Sequence, residues 1–310
     1  MMLLGWTERL YILAFDQRGS LLRGLFGVDG DPSLAQTRSA VAAKGVIFAG
    51  VLAASGRDLA VQQHIGVLID EQLGGAEATN ARRHGLRLAI AVERSSQAVL
   101  EFEYGEAFAA HIERFDPDFA KVLVRYNPRG DAGANRLQRK RLLTLSDWVH
   151  EHDRKLLFEL LVPAEPDQLG AVGDNLDRYD TELRPTLMLE AMIEMQEAGI
   201  EADLWKIEGL DARADAQALA RQARTGAGRH DVGCLILGRG ASAAKVRHWL
   251  EQAAPVTGFV GFAIGRSIWW DTVKQYLFDG LPREVAVDRI ASAFLEFIDV
   301  YETATASGRD

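Results

Sequence analysis

Apolar residues in this chain fall in short dense runs separated by longer stretches of helical periodicity. Eight runs read as buried strands: LYILAFD (10–16), IGVLID (65–70), LRLAIAVE (86–93), FAKVLVRY (119–126), KLLFELLV (155–162), DLWKIEG (203–209), GCLILG (233–238) and GFVGFAI (258–264). Between them lie amphipathic segments such as ANRLQRKRLLTLSDWVHEH (134–152) and RPTLMLEAMIEMQEAG (184–199). Pro185 stands in the first turn of the second, and Gly199 ends it. Alternation of strand and helix implies parallel strands joined by right-handed crossovers. Eight units in 310 residues predict an α/β chain folded as a single-domain (β/α)8 TIM barrel over residues 1–310. An open doubly wound sheet is the alternative, and residues 303–310 are expected to be a frayed tail.

Strand parity then sorts the charged residues inside these runs. Alternate side chains face opposite sides, so Leu204, Lys206 and Glu208 share one face while Trp205 and Ile207 share the other. If the bulky apolar face meets the helices, the polar set points into the lumen. The same arithmetic places Lys121 with Leu123, Glu159 with Leu157, Asp16 with Ala14 and Glu93 with Ala91. Any one of these charges reads equally well as a structural ion pair. Together they would place two lysines and several carboxylates at the carboxyl ends of strands, where barrel enzymes carry their chemistry. Desolvating those ions costs several kcal/mol each before pairing offsets it. A lysine desolvated beside a second cation is a nucleophile toward carbonyls, which makes Lys206 the candidate nucleophile and Lys121 the neighbouring cation. Glu159 is the candidate proton shuttle for dehydrating a carbinolamine, and Asp16 the candidate base on a substrate hydroxyl.

The last two strand ends carry a different signal. Gly238-Arg-Gly240-Ala-Ser-Ala matches the relaxed dinucleotide fingerprint, but a dinucleotide site needs an acidic residue ending the next strand, where this chain has Gly265 and Arg266. Glycine turns with open N–H groups still suit phosphate, and barrels commonly bind it after strands seven and eight. Gly238, Arg239, Gly240, Gly261, Gly265 and Arg266 are therefore the candidate phosphate ligands. Gln17, Arg18, Glu93 and Glu208 complete the candidate substrate contacts.

Composition narrows the partners. At 48% hydrophobic and 25% charged residues the chain is of ordinary globular type, and a formal charge of −9 disfavours nucleic acid or an anionic membrane as partner. The longest apolar run, GVIFAGVLAA (45–54), is shorter than a bilayer span, and the chain is expected to be cytoplasmic. The single cysteine, Cys234, lies in an apolar run and reads as core. His150 and His152 are two apart on a helical segment and His64, His84, His111, His230 and His248 are scattered, so neither a metal nor another cofactor is expected. There is no GxSxG elbow and no P-loop. A homo-oligomer is compatible with the sequence.

The segments LAFDQRGSLLRGLFG, FAKVLVRYNP, LLFELLVPAE, DLWKIEGLD, LGRGASAAKVRHWL and GFVGFAIGRSIWWD resemble the successive strand-end motifs of the 2-deoxy-5-keto-gluconate 6-phosphate aldolase family. That family is best known as the C-terminal domain of the inositol-catabolic kinase-aldolase, and more distantly the motifs are similar to class I tagatose-bisphosphate aldolases. The resemblance implies a metal-independent carbon–carbon lyase in which Lys206 forms the Schiff base, Lys121, Glu159 and Asp16 belong to the active site, and Gly265-Arg266 holds phosphate. It also implies cleavage of the phosphorylated keto sugar acid to dihydroxyacetone phosphate and malonic semialdehyde, with a separate sugar kinase acting beside it. Two positions depart from the pattern: Gln17 stands where the family more often has His, and Asn127-Pro128-Arg129 stands where it has His-Pro-Asp. A ketose 1-phosphate or 1,6-bisphosphate is the alternative substrate. A non-catalytic sugar-phosphate sensor is the alternative of another class, although phosphate binding alone needs neither lysine.

Overall fold

The computed structural model describes residues 3–308. Its eight strands are β1 (Leu10–Ala14), β2 (Ile65–Ile69), β3 (Arg87–Ala91), β4 (Phe119–Arg125), β5 (Lys155–Leu161), β6 (Leu204–Glu208), β7 (Gly233–Leu237) and β8 (Phe259–Ile264). All pair in parallel, and β8 closes on β1 with Leu10 opposite Gly261, giving a barrel in sequence order. The TIM barrel replaces the open-sheet alternative. Each strand starts and stops within two residues of its apolar run. The positions trimmed from the carboxyl ends, including Asp16, Asp70 and Glu93, are where the ladder gives way to loops.

The helical layer follows the same logic. After β1 come α1 (Gly19–Phe26) and α2 (Leu34–Arg57). Next are α3 (Glu71–Arg83), α4 (Phe108–Phe115) and α5 (Ala132–Glu151). After β5 the chain forms α6 (Pro166–Ala171) and α7 (Leu176–Arg178), then runs through a π turn (Tyr179–Leu183) into α8 (Arg184–Glu197). The remaining helices are α9 (Arg213–Ala223), α10 (Ala243–Ala253), α11 (Arg266–Phe278) and α12 (Arg283–Ser307). Ser33 caps α2 in a reciprocal box with Gln36, satisfying N–H groups that the first helical turn leaves open. With 24 residues, α2 is long and apolar enough to cross a membrane, which the run 45–54 taken alone is not. Packing explains that character: Ala43, Val46, Ile47, Val51 and Ala54 are buried in the layer around the barrel. At Gly50 a Cβ would lie 2.6 Å from Ile290 Cγ2, so the missing side chain lets α2 and α12 approach closely. The expected frayed tail is corrected, because α12 continues to Ser307 and Thr305 is buried, donating to the carbonyls of Tyr301 and Ala254. Arg309 and Asp310 lie outside the described residues.

Two apolar cores divide at the barrel wall. The outer one fills the space between strands and helices. The inner one, Leu10, Ile12, Leu68, Ala89, Phe119, Leu157, Leu204, Leu235 and Val260 among others, fills the lumen. Trp6 closes its amino-terminal end against Phe119, with ring centroids 5.1 Å apart. Charged side chains therefore have room only above this plug, at the carboxyl-terminal mouth. One irregularity, a register shift between Cys234 and Leu235, inserts an extra residue into β8 and turns Gly261 toward β1.

Candidate active site

Lys121 on β4 is fully buried and held by three carboxylates, each from a different strand end. Its Nζ lies 2.7 Å from Asp16 Oδ2, 2.8 Å from Glu93 Oε1 and 2.9 Å from Glu159 Oε2. Lys206 on β6 stands opposite Glu159 in the β5–β6 ladder, and its Nζ lies 2.9 Å from the same Glu159 Oε2. The carboxylate is thus shared between two ammonium groups. Lys206 differs from Lys121 in lining the open cavity above, which has a volume of about 230 Å³. The parity reading placed these side chains in the lumen, and the structure brings Asp16, Glu93, Lys121, Glu159 and Lys206 together there.

Electrostatics follow from this geometry. Burial alone would raise the Asp16 carboxyl, but the charges of Lys121 and Lys206 outweigh it and hold that group well below the usual carboxylate range. Glu159 is also lowered, burial again being overcome by the same two lysines against the opposing charge of Asp16. For Lys121 burial favours the neutral amine, and Asp16, Glu159 and Glu93 reverse that, holding the group protonated far above the ordinary lysine range. Lys121 is therefore a fixed cation. Another buried lysine, Lys44 on α2, pairs with Asp70 behind the barrel wall, where burial pushes it down to about 7; it does not line the cavity.

The other expected residues divide into those on the cavity and those off it. Arg18 lines the cavity, donates to the Glu93 carbonyl at 2.7 Å and to Glu103 Oε2 at 2.9 Å, and so braces the loop after β3. Gln17 also lines it, with a buried Oε1 that accepts no hydrogen bond among the described residues. Gly238, Arg239, Gly240, Gly265 and Arg266 form the facing wall. Gly265 precedes α11 without any side-chain cap, leaving the helix start open, and a Cβ at Gly240 would lie 2.8 Å from Arg266 Nη2. Arg239 turns out to be engaged: its Nη1 lies 2.7 Å from both Asp180 oxygens and its Nε 3.3 Å from Glu208 Oε1. It ties the glycine turn to the π turn at Tyr179–Leu183.

Two expected ligands lie elsewhere. Glu208 is buried behind Arg239, accepting from the Val162 N–H at 2.9 Å, with its carboxyl raised by burial; it does not line the cavity. Gly261 sits low in β8 beside Leu10, where a Cβ would fall 1.9 Å from the Leu10 carbonyl oxygen. Its glycine serves the bulge and the close contact with β1. Tight packing and phosphate binding both call for glycine, and residue type alone does not separate them.

The cavity also contains residues that the strand and motif reading passed over: Ser20, Arg94, Ser95, Ser96, Gln97 and Arg125. The RSSQ segment forms the turn of a short hairpin, closed by an antiparallel bridge between Glu93 and Phe102. Arg125 could have been found, because it is in phase with Lys121 and Leu123 along β4. Among the described residues no group of His, Cys, Asp and Glu is arranged to hold a metal ion. The three carboxylates at the mouth close on an ammonium instead.

The barrel recurs in solved structures of low sequence identity. A fructose-bisphosphate aldolase from Plasmodium falciparum, in complex with TRAP and a small-molecule inhibitor, aligns with a TM-score of 0.63 and 13% identity over 98% of this chain and 91% of that one. Cgl0159 from Corynebacterium glutamicum (Brevibacterium flavum) aligns with a TM-score of 0.57 and 16% identity, covering 96% and 88% of the two chains. A Schiff-base-forming fructose-1,6-bisphosphate aldolase aligns at 0.53 with 14% identity, covering 93% of each chain. No curated protein matches the chain in sequence. A family model matches residues 5–305, nearly the whole barrel, and the chain belongs to that family, described as "Uncharacterized protein conserved in bacteria (DUF2090)".

Proposed function

We propose that the protein is a class I aldolase that cleaves a phosphorylated keto sugar acid, with 2-deoxy-5-keto-gluconate 6-phosphate as the substrate the motifs favour. The observation that carries this reading is the pairing of Lys206 with Glu159, whose Oε2 lies 2.9 Å from Nζ at the floor of an otherwise open cavity. A lysine kept only for stability would have no reason to face the cavity. The names of two structural neighbours, both fructose-bisphosphate aldolases and one described as Schiff-base forming, support the same chemistry.

In this mechanism Glu159 takes a proton from the Lys206 ammonium, and the freed amine adds to the substrate ketone at C5, beside the phosphate-bearing carbon. Glu159 hands on the proton with which the carbinolamine oxygen leaves as water, and an iminium remains. A carboxylate, Asp16 or Glu159, takes the proton of the C3 hydroxyl. The C3–C4 bond then breaks, its electron pair moving through C4 to neutralise the iminium as an enamine, and malonic semialdehyde departs. Protonation at C4 and addition of water release dihydroxyacetone phosphate and return Lys206 as the ammonium paired with Glu159. Lys121 stays protonated throughout and holds the carboxylates in place. The phosphate rests on Arg266 and the open start of α11.

A ketose 1,6-bisphosphate is the second reading, favoured by the names of the same two neighbours. The deciding experiment for the mechanism is reduction with borohydride in the presence of dihydroxyacetone phosphate, followed by peptide mapping. The expected result is a reduced adduct on Lys206; no adduct, or one on another lysine, would remove the mechanism. A panel of the sugar acid phosphate and ketose bisphosphates then separates the two substrates.

A further inference from the structure

Five arginines line the cavity, and three of them are engaged by carboxylates. Arg18 bridges Glu93 and Glu103, Arg94 pairs with Glu101 at 3.3 Å, and Arg239 holds Asp180 and Glu208. Arg125 and Arg266 have no carboxylate partner among the described residues. Each donates to one backbone carbonyl, Arg125 to Gln97 at 3.1 Å and Arg266 to Arg239 at 3.4 Å. Both side chains are exposed at the cavity rim, and in a chain of net charge −9 two such guanidiniums without carboxylate partners are free to give an anion charge-assisted hydrogen bonds.

Their placement is set by the barrel. Arg125 ends β4 and Arg266 follows β8, four places apart in a closed ring of eight, so they stand on opposite walls. Lys206 on β6 lies two places from each. A substrate stretched between the arginines would therefore carry its middle over the lysine. The two ends differ in chemistry. Around Arg266, Gly238, Gly240, Gly265 and the uncapped start of α11 suit a phosphate dianion. Near Arg125, the helix that follows β4 has its start already filled by the Asp131 carboxylate, which accepts from the Ala134 N–H at 2.7 Å. What remains there is one planar guanidinium, with the Ser95, Ser96 and Gln97 side chains along the same rim. That set matches a carboxylate, which a guanidinium binds through two parallel hydrogen bonds.

We infer that Arg125 receives the carboxylate of the substrate and selects phosphorylated sugar acids over phosphorylated sugars with an uncharged far end. The inference rests on the phosphate lying at Arg266, as in the function proposed above, but it can be tested without turnover. Binding to the full chain is measured calorimetrically for three non-cleavable six-carbon ligands: 6-phosphogluconate, glucitol 6-phosphate and a hexitol 1,6-bisphosphate. The wild type is expected to bind 6-phosphogluconate tightest. Arg125→Gln should weaken that ligand by roughly 10–100-fold, leave glucitol 6-phosphate nearly unaffected, and so erase the preference. Arg125→Lys should restore part of it. Equal loss for the acid and the uncharged ligand, or no loss for either, would overturn the inference. A bisphosphate bound tightest and most dependent on Arg125 would also overturn it, by assigning the position to a second phosphate. Borohydride trapping of dihydroxyacetone phosphate on the wild type reports separately on the aldolase chemistry, so failure of one reading is not mistaken for failure of the other.

Discussion

Glu159 meets Lys206 across neighbouring strands, its Oε2 2.9 Å from the lysine Nζ, and the same oxygen is 2.9 Å from Lys121 Nζ. One carboxylate therefore serves two lysines with different surroundings. Lys206 has this carboxylate as its ion-pair partner and faces the cavity, whereas Lys121 has three carboxylates and no exposure.

The first consequence concerns Lys206. Removing it leaves Glu159 still paired with Lys121, so Lys206→Ala should fold with little loss of thermal stability. The aldolase activity proposed above should fall on the order of 10⁴-fold or more if Lys206 is the nucleophile. Steady-state assays beside thermal melts check both halves, and a variant that keeps turnover would contradict the assigned role.

Lys121 should behave in the opposite sense. Lys121→Met strands Asp16, Glu93 and Glu159 around a neutral side chain, and removing one partner from a buried ionic cluster costs about 3–5 kcal/mol. Denaturant unfolding should show that loss. A change within about 0.5 kcal/mol would mean the cluster is wetter than its burial implies.

Acid should unfold the protein through the same cluster. Asp16 and Glu159 have folded-state values below their unfolded ones, so their stabilisation is present above the ordinary carboxylate range and is lost as pH falls through the folded values. Lys121, raised instead, stabilises fully below the ordinary lysine range and loses that contribution only at strongly alkaline pH. The contribution of this cluster should thus be constant near neutrality and decline below about pH 4. Lys121→Met should flatten the acid decline as well as lower the plateau, which pH-resolved melts would reveal.

At the wall proposed to hold phosphate, Arg266→Ala should raise KM for a phosphorylated substrate by roughly 10–100-fold, the range expected for losing a hydrogen bond to a charged group. Binding of inorganic phosphate, followed by calorimetry, should weaken in parallel. Unchanged phosphate affinity would move the anion elsewhere on the barrel.

Gly261→Ala tests the correction in β8. A Cβ there overlaps the Leu10 carbonyl at 1.9 Å, so the substitution should cost about 1–3 kcal/mol of stability without a specific effect on phosphate affinity. A loss of phosphate binding at full stability would return Gly261 to the site.

Much of this was legible in the residues themselves. Alternation along DLWKIEG and FAKVLVRY was enough to turn Lys206 and Lys121 inward, because period two is a property of any strand. The same rule extended two residues further would have reached Arg125. What parity could not supply was pairing between distant segments. Arg239 read as a phosphate ligand because its counter-ions, Asp180 on the π turn and Glu208 on β6, are brought to it by folding alone. Gly261 read the same way because a one-residue bulge leaves no mark in composition. The end of α12 read as frayed from its small and polar residues, while its Thr305 is held by packing against the turn near Ala254.

The cage around Lys121 has one more implication. Carboxylates gathered in this way suit a divalent ion, whose occupancy varies with supply and with chelators. Here the central positive charge is covalently part of the chain. It is installed by translation, cannot be exchanged for a competing ion, and is present in every folded copy whatever the ionic composition of its surroundings.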